Sequence, residues 1–432
     1  MESKQWDVIV VGGGPAGMMT AGRAGELGAK VLLIEKNDSL GKKLLITGGG
    51  RCNVTNAQLN VRKFLEKYKD NAKFLFSAFS QWDVEKTLDF FHIRKMDTKV
   101  ENEGRVFPVS DSAQSVWDVL VDYVRAGDVK VLSNSPVTEI VLDKEVLAVK
   151  KNLAGALEKI VGVKTKSGDV IYGKNIVIAT GGTSRPETGS TGDGYKWLKK
   201  IGHTIINPTP SLVPIAVKDK WISRIAGVSL PNAKITTFQN GERQAVHKGK
   251  ILFTHVGLSG PAILNMSSEI GELLKYGEVV ISLDLIPSLD HGQLNTTLQE
   301  IFKENSNKKF KNSLNKLLPS AIASVIVDFS GIDPDIQCNS ITREERMRLI
   351  NLLKGLKLNV DTLLGTDKAI ITNGGVVLDE VDFKTMQSRI FSNLYLVGDV
   401  LNIDRPSGGY SLQLCWTTGF VAGSNAAKVL EK

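Results

Sequence analysis

Cysteine is scarce in this chain. Its 432 residues hold three, Cys52, Cys338 and Cys415, far apart, odd in number and without a C-x-x-C pair. That spacing argues against a disulfide framework, a zinc site or a dithiol redox pair. No metal is therefore expected, and a reducing cytoplasm is the expected compartment. Long apolar runs are missing too. No stretch reaches the roughly 18 residues a membrane helix needs, so no membrane partner is expected. Asp7 and the glycine turn after it interrupt any apolar signal-peptide core. There is no internal repeat and no low-complexity tail. Neither sign of charge dominates: 54 Lys plus Arg stand against 46 Asp plus Glu, a net charge of +8. That excess fits an acidic partner such as nucleic acid without requiring one. With 42% hydrophobic and 23% charged residues, the composition is that of a soluble globular protein, and the length allows two or three domains.

What the chain does have is glycine at ligand-facing spacing. Asp7 to Val11 is a β-branched apolar run, the pattern of a buried parallel strand. Gly12, Gly14 and Gly17 follow as G-x-G-x-x-G, and a helix is expected from Pro15 to about Leu27. Gly12 permits the tight turn, Gly14 lets a pyrophosphate reach the backbone, and Gly17 lets the helix pack on the strand. The helix start offers free N–H groups and its positive dipole end to that phosphate. A second strand, Lys30 to Ile34, ends at Glu35, whose carboxylate suits a ribose 2′-OH and opposes an NADP 2′-phosphate. In this setting the fingerprint reads as a dinucleotide site.

Further glycine clusters follow. Gly48-Gly49-Gly50 precedes Arg51, Cys52 and Asn53, and reads as a loop wrapping phosphates and a reactive ring. Asn175 to Ala179 is an apolar strand closing in Thr180-Gly181-Gly182, and Asn393 to Val397 is another closing in Gly398-Asp399. Asp399 can accept a sugar hydroxyl. Gly409 and Tyr410 open a final helix, Ser411 to Leu430, whose start can face a developing negative charge. Three ligand-facing strand ends, drawn from both ends of the chain, fit an extended FAD better than NAD alone.

Between them, Val61 to Phe79 and Asp83 to Phe91 read as helices, and Glu101 to Pro108 as a hairpin-like turn before an Ala113 to Arg125 helix. Lys130 to Leu132 followed by Ser135 to Val141 reads as a strand returning to the sheet, and Ile160 to Thr165 with Asp169 to Tyr172 as a hairpin around Ser167-Gly168. Glu278 to Leu285 is a clean strand, His291 to Ile326 reads as helical, and Thr342-Arg343-Glu344-Glu345 reads as a capping box opening a helix to Leu356.

The chain resembles the BaiN/RdsA (YhiN-type) family of FAD flavoproteins. The resemblance runs end to end and rests on Gly12–Gly17, Gly41-Lys42-Lys43, Thr47–Asn56, Ala179–Gly182, Phe253–Pro261 (FTHVGLSGP), Thr372–Val376 and Gly398-Asp399. It implies an α/β fold: a Rossmann-like FAD domain from residues 1–207 and 368–432. Inserted at 208–367 would be a β-rich, barrel-like part (about 208–288) and a helical part (about 289–360). Cofactor residues so implied are Gly12, Gly14, Pro15, Ala16, Gly17, Glu35, Lys36, Lys43, Gly48, Gly49, Arg51, Cys52 and Asn53. Val137, Thr180, Gly181, Gly182, Gly398, Asp399, Gly409 and Tyr410 complete the set.

A flavin passes hydride to an electron-poor double bond, and a proton donor is needed opposite. Cys52 and His255 are the candidates; the alternatives are a buried filler and a structural histidine. Only one dinucleotide fingerprint is present, so NADH or NADPH would visit transiently as electron donor. Within the family, one branch is tied to dihydrouridine formation in large-subunit rRNA and another to bile-acid chemistry. The positive balance and the Lys-rich run from Lys303 to Lys311 point to ribosomal RNA, although a solvated helix face explains that run equally well. Three readings stand: an rRNA dihydrouridine synthase, a reductase of a small steroid-like molecule, and a flavin-bearing RNA-binding factor without turnover.

Overall fold

A computed structural model describes residues 5–143, 159–365 and 367–428. The chain divides into two compact units, one of residues 1–210 with 369–432 and one of residues 211–368.

In the first unit β1 (Trp6–Val11) leads through α1 (Pro15–Glu26) to β2 (Val31–Ile34). Next come α2 (Lys42–Leu45), β3 (Thr55–Asn56), α3 (Val61–Leu65), α4 (Ala72–Gln81) and α5 (Val84–Ile93). A hairpin of β4 (Thr98–Val100) and β5 (Arg105–Pro108), then α6 (Ala113–Ala126), precede β6 (Lys130–Leu132). A meander of β7 (Val137–Leu142), β8 (Ile160–Thr165) and β9 (Val170–Ile178) is followed by α7 (Asp193–Lys200) and β10 (Ile205–Ser211). The main sheet runs β6-β2-β1-β9-β8-β7. β1 pairs in parallel with β2 and with β9, so Val8 faces both Val31 and Asn175. Val8, Ile9 and Val10 are fully buried, as expected of a parallel strand covered on both faces.

The second unit holds β11 (Ile215–Val217), β12 (Ser229–Gln239), β13 (Glu242–Phe253), β14 (Gly257–Ser259), α8 (Pro261–Leu273) and β15 (Val279–Asp284). Helices α9 (His291–Glu304), α10 (Ser320–Phe329) and α11 (Arg343–Lys354) lead to β16 (Leu356–Leu363). The strands close into an antiparallel barrel, β11-β14-β13-β12-β15-β16, around Ile215, Ile235, Ile251 and Ile281. The capping box is present: Thr342 Oγ1 accepts from Glu345 N (3.2 Å), and Thr342 N donates to Glu345 Oε2 (2.8 Å).

The chain then returns to the first unit. β17 (Ile371–Val376) pairs with β10, β18 (Leu394–Leu396) joins β9 in parallel, and α12 (Tyr410–Lys428) packs along α1. A Cβ at Gly419 would lie 2.6 Å from the Ala16 carbonyl and one at Gly423 2.5 Å from that of Thr20. Glycine there lets the two helix backbones touch.

Three expectations are corrected. The 61–79 segment is not one helix; the backbone breaks at Lys69 (φ +50). Tyr68 turns into the core to donate to the Tyr410 carbonyl (2.8 Å), and Lys69 reaches Asp404 (3.0 Å). The runs Lys130–Leu132 and Ser135–Val141 form two strands rather than one, because Pro136 offers no N–H to a continuous ladder and Asn134 takes a left-handed turn (φ +53). The 291–326 helix stops at Glu304, where Phe310 is buried and its N–H bonds the Ile336 carbonyl (2.8 Å). Val429 and Leu430, assigned to the last helix, lie outside the described residues.

Candidate functional site

The turn from β1 to α1 shows why its glycines are needed. Gly12 has φ +107, and a Cβ there would lie 2.5 Å from the Ala179 carbonyl oxygen. A Cβ at Gly17 would lie 1.8 Å from the Gly12 carbonyl. Gly14 differs: nothing stands within 4 Å of a Cβ added there. No side chain caps the start of α1, so its first N–H groups remain for an anion. Glu35 is anchored beside them, its Oε2 accepting from Gly13 N (2.7 Å) and its Oε1 from Asn37 N (2.8 Å). Each oxygen keeps a lone pair for a further donor.

A cleft opens at the carboxyl ends of β1, β2 and β9, where ligands bind in such sheets. Gly12, Gly14, Pro15, Ala16, Thr180 and Gly181 line it, as do Glu35, Lys36 and Val137. Lys43, Asp399, Ser411, Leu412 and Cys415 extend it to the start of α12. Lys36 is held by Thr191 (2.5 Å) and Asp193 (2.9 Å). Lys43 donates to Ser184 (2.6 Å) and stands 3.8 Å from Asp399. Burial pushes its ammonium down from the usual range, and the Asp399 carboxylate opposes that push. Asp399 is also paired with Arg405, whose side chain is fully buried. Burial opposes the Arg405 charge, but the Asp399 carboxylate, together with Cys415, Tyr68 and Tyr195, holds the guanidinium above its usual value. Arg405 further donates to the Ile403 carbonyl (2.7 Å) and to Ser411 Oγ (3.0 Å).

These residues fit a flavin dinucleotide. The cleft joins a glycine cradle and free helix amides, suited to a pyrophosphate, to carboxylates at Glu35 and Asp399, suited to sugar hydroxyls. Thr180 lines it, and its buried hydroxyl has no partner among the described residues, which a bound ligand would satisfy.

Other residues singled out from the sequence sit behind or apart from the cleft. Gly17 holds α1 against the turn. A Cβ at Gly182 would lie 2.4 Å from Thr372 Oγ1, and Gly398 N donates to Thr418 Oγ1 (3.0 Å). Gly48 and Gly49 form an exposed left-handed turn (φ +57 and +70). Arg51 is paired with Glu101 and with Asp111 (2.8 Å), and its guanidinium lies 4.0 Å from the Phe107 ring centre. Asn53 Oδ1 accepts from Val106 N (3.2 Å). Gly409 (φ +101) lets the backbone pass within a Cβ's reach of Thr55, and Tyr410 packs on Phe64 at 4.7 Å. Cys52 is fully buried with φ +60, and burial pushes its thiol up to about 12 against a hydrogen bond with Thr47. His255 belongs to the second unit, exposed in the turn between β13 and β14. Among the described residues no hydrogen bond holds its ring.

Arg405, Ser184 and Thr372 carry contacts that the sequence reading missed. Arg405 stands alone in Asn402–Pro406, with no pattern to mark it as buried.

The profile of the HI0933-like protein Rossmann domain matches residues 6–425. The chain belongs to the HI0933-like family. It is the family to which the GGGRCN and FTHVGLSGP motifs point. This HI0933-like chain is 31% identical to an Escherichia coli protein named ribosomal RNA dihydrouridine synthase, covering 98% of both. It is 27% identical to a 3-dehydro-bile acid delta(4,6)-reductase of Clostridium scindens, covering 97% of this chain and 98% of that one. Among solved structures, the open form of a flavocytochrome c3 fumarate reductase shares the fold. Its TM-score is 0.54 at 17% identity, over 99% of this chain and 78% of that one. Among the described residues no helix of this family member is long and apolar enough to cross a membrane, and no His/Cys/Asp/Glu group could hold a metal.

The three thiols of this HI0933-like chain are all buried, and burial pushes Cys52 and Cys415 up to about 12. Iodoacetamide at pH 8 is therefore expected to label none of them in the native protein and all three in urea, since the thiolate is the nucleophile. Mass spectrometry of native-state digests checks this; rapid native labelling of Cys52 would show that its pocket opens to solvent.

Proposed function

We propose that the protein is an FAD-dependent oxidoreductase that reduces the C5–C6 double bond of a uridine in large-subunit rRNA to dihydrouridine. The observation that carries the cofactor is the cleft itself, where the glycine turn with Glu35 is continuous with Lys43 and Asp399. The near-full-length likeness to a ribosomal RNA dihydrouridine synthase supports the substrate, and the net charge of +8 is compatible with it. Such a substrate would place the protein in the cytoplasm.

FAD, when bound, supplies hydride to an electron-poor double bond, with NADH or NADPH as its transient donor. The chain supplies the rest. Glu35 and the first amides of α1 hold the adenosine and pyrophosphate part, and Asp399, fixed by Arg405, accepts from a sugar hydroxyl. The start of α12 places its positive dipole end at the cleft. A proton must reach the second carbon, and Cys52 and His255 remain the proposed donors. The Cys52 thiol keeps its proton at neutral pH but is enclosed; His255 meets solvent.

The test is anaerobic. The flavin is reduced, rRNA transcript is added, and reoxidation is followed at the flavin absorbance with dihydrouridine counted in the digested RNA. Reoxidation with matching dihydrouridine is expected. A steroid-like enone that reoxidises the flavin when RNA does not would instead support the second reading, which the bile-acid reductase relative favours. No reoxidation by either would leave a flavin-bearing RNA-binding factor. If Cys52→Ala keeps the wild-type rate and His255→Ala does not, His255 holds the transferred proton.

A further inference from the structure

The Lys-rich segment singled out from the sequence is partly neutralised. Lys309 and Lys311 both bond Asp335 Oδ1 (2.9 and 2.8 Å), and Lys316 pairs with Glu304. Elsewhere in the second unit Lys275 pairs with Glu272 and Lys354 with Asp284. Asp335 offsets one of the two charges of Lys309 and Lys311, and paired charges attract a polyanion less than unpaired ones do.

The outer face of the barrel is different. In the β12–β13 ladder Lys234 lies directly opposite Lys248, and Lys250 lies one pleat further along β13. Their neighbours Ile235 and Ile251 are buried, so alternation turns these lysines outward. Lys248 and Lys250 are exposed and Lys234 is half-buried. Thr236, one pleat from Lys234, faces Ser282, which faces the exposed Lys357 on β16. Among the described residues none of these four lysines has a carboxylate partner. The carboxylate opposite Lys234, Asp284, is buried and held by Lys354 at 2.7 Å. Like charges directly opposite on a sheet cost stability, and a cross-strand pair has Cβ atoms only about 5 Å apart. A fold that keeps Lys234 against Lys248, with the carboxylate across from Lys234 committed to Lys354, carries a local field that an anion would relieve.

We infer that the outer face of β12, β13 and β16, carrying Lys234, Lys248, Lys250 and Lys357, is a docking surface for an RNA backbone. The inference rests on the rRNA reading above and names where that partner is held. Closely spaced cations with hydroxyls between them match a chain of phosphates and 2′-hydroxyls. Such contacts position the nucleic acid and read no sequence. The uridine itself would be selected elsewhere.

The experiment uses the full-length flavoprotein and a large-subunit rRNA transcript, with affinity measured across a salt series. The K234Q/K248Q/K250Q variant is expected to flatten the plot of log K against log salt by about 2, from three lost phosphate contacts at about 0.7 each. It should weaken binding at least tenfold at low salt. The K309Q/K311Q variant should flatten the plot by no more than about 0.7, because Asp335 already offsets one of those two charges. Lys248→Gln should not lower Tm, since it removes a like-charge pair. A wild-type slope in the triple variant would overturn the surface; if the wild type still reoxidises its flavin on rRNA, the functional reading survives that failure. Polyglutamate competing as well as RNA at equal charge would assign the face to an acidic polypeptide and overturn the proposal.

Discussion

Gly17→Ala is expected to cost about 3 kcal/mol of stability, whereas Gly14→Ala should leave the apoprotein within about 1 kcal/mol of wild type. The difference is geometric. A methyl at Gly17 meets the Gly12 carbonyl at 1.8 Å, and both atoms belong to the turn, so neither can yield without opening it. A methyl at Gly14 meets nothing, and its backbone (φ −76, ψ −176) is one that alanine adopts freely. That open space is where a pyrophosphate would approach the first amides of α1. Gly14→Ala is therefore expected to weaken FAD binding about 100-fold, or about 2.7 kcal/mol. Thermal unfolding of the apoproteins and flavin-fluorescence titration measure the two effects separately. A Gly14→Ala protein that binds FAD like the wild type would move the pyrophosphate out of this cleft.

Asp399→Ala should be the most damaging polar substitution, at about 3–5 kcal/mol, because it leaves the Arg405 guanidinium buried and unpaired. Arg405→Met should cost less. Asp399 is partly exposed, at 14%, and keeps Lys43 at 3.8 Å, whereas the Arg405 side chain has no exposure at all. Methionine also fills much of the volume that arginine leaves. In the double variant much of the Asp399→Ala cost should return, since no charge is then stranded; contacting residues of this kind are not additive. Urea unfolding of the four proteins closes the cycle. Additive losses would show that the two groups do not act as a pair. Flavin retention should fall in both Asp399 variants, because the sugar-hydroxyl acceptor is gone.

The parts of the fold that could be read in advance are those whose physics is local. The strand, turn and helix at Val8 to Glu26 follow from β-branched residues and from the spacing of Gly12, Gly14 and Gly17 within one turn. The Thr342–Glu345 capping box closes within one helical turn. What could not be read depends on distant partners. Tyr68 leaves the expected helix to bond the Tyr410 carbonyl. Arg51 looked free to hold an anion, but Glu101 and Asp111 take its charge. Arg405 is an ordinary polar residue until the start of α12 encloses it.

By itself, then, the amino-acid sequence determined the dinucleotide turn and the acid at the end of β2, each written in residues close together in the chain, and the family, written in short motifs spread along it. Tertiary structure alone decided which cations are free and which are neutralised. Lys309 and Lys311 share the one carboxylate of Asp335, whereas Lys234, Lys248 and Lys250 on the barrel strands have none among the described residues. Charge is a property of what lies within a few ångströms, and only folding brings residues so far apart in the chain to that distance.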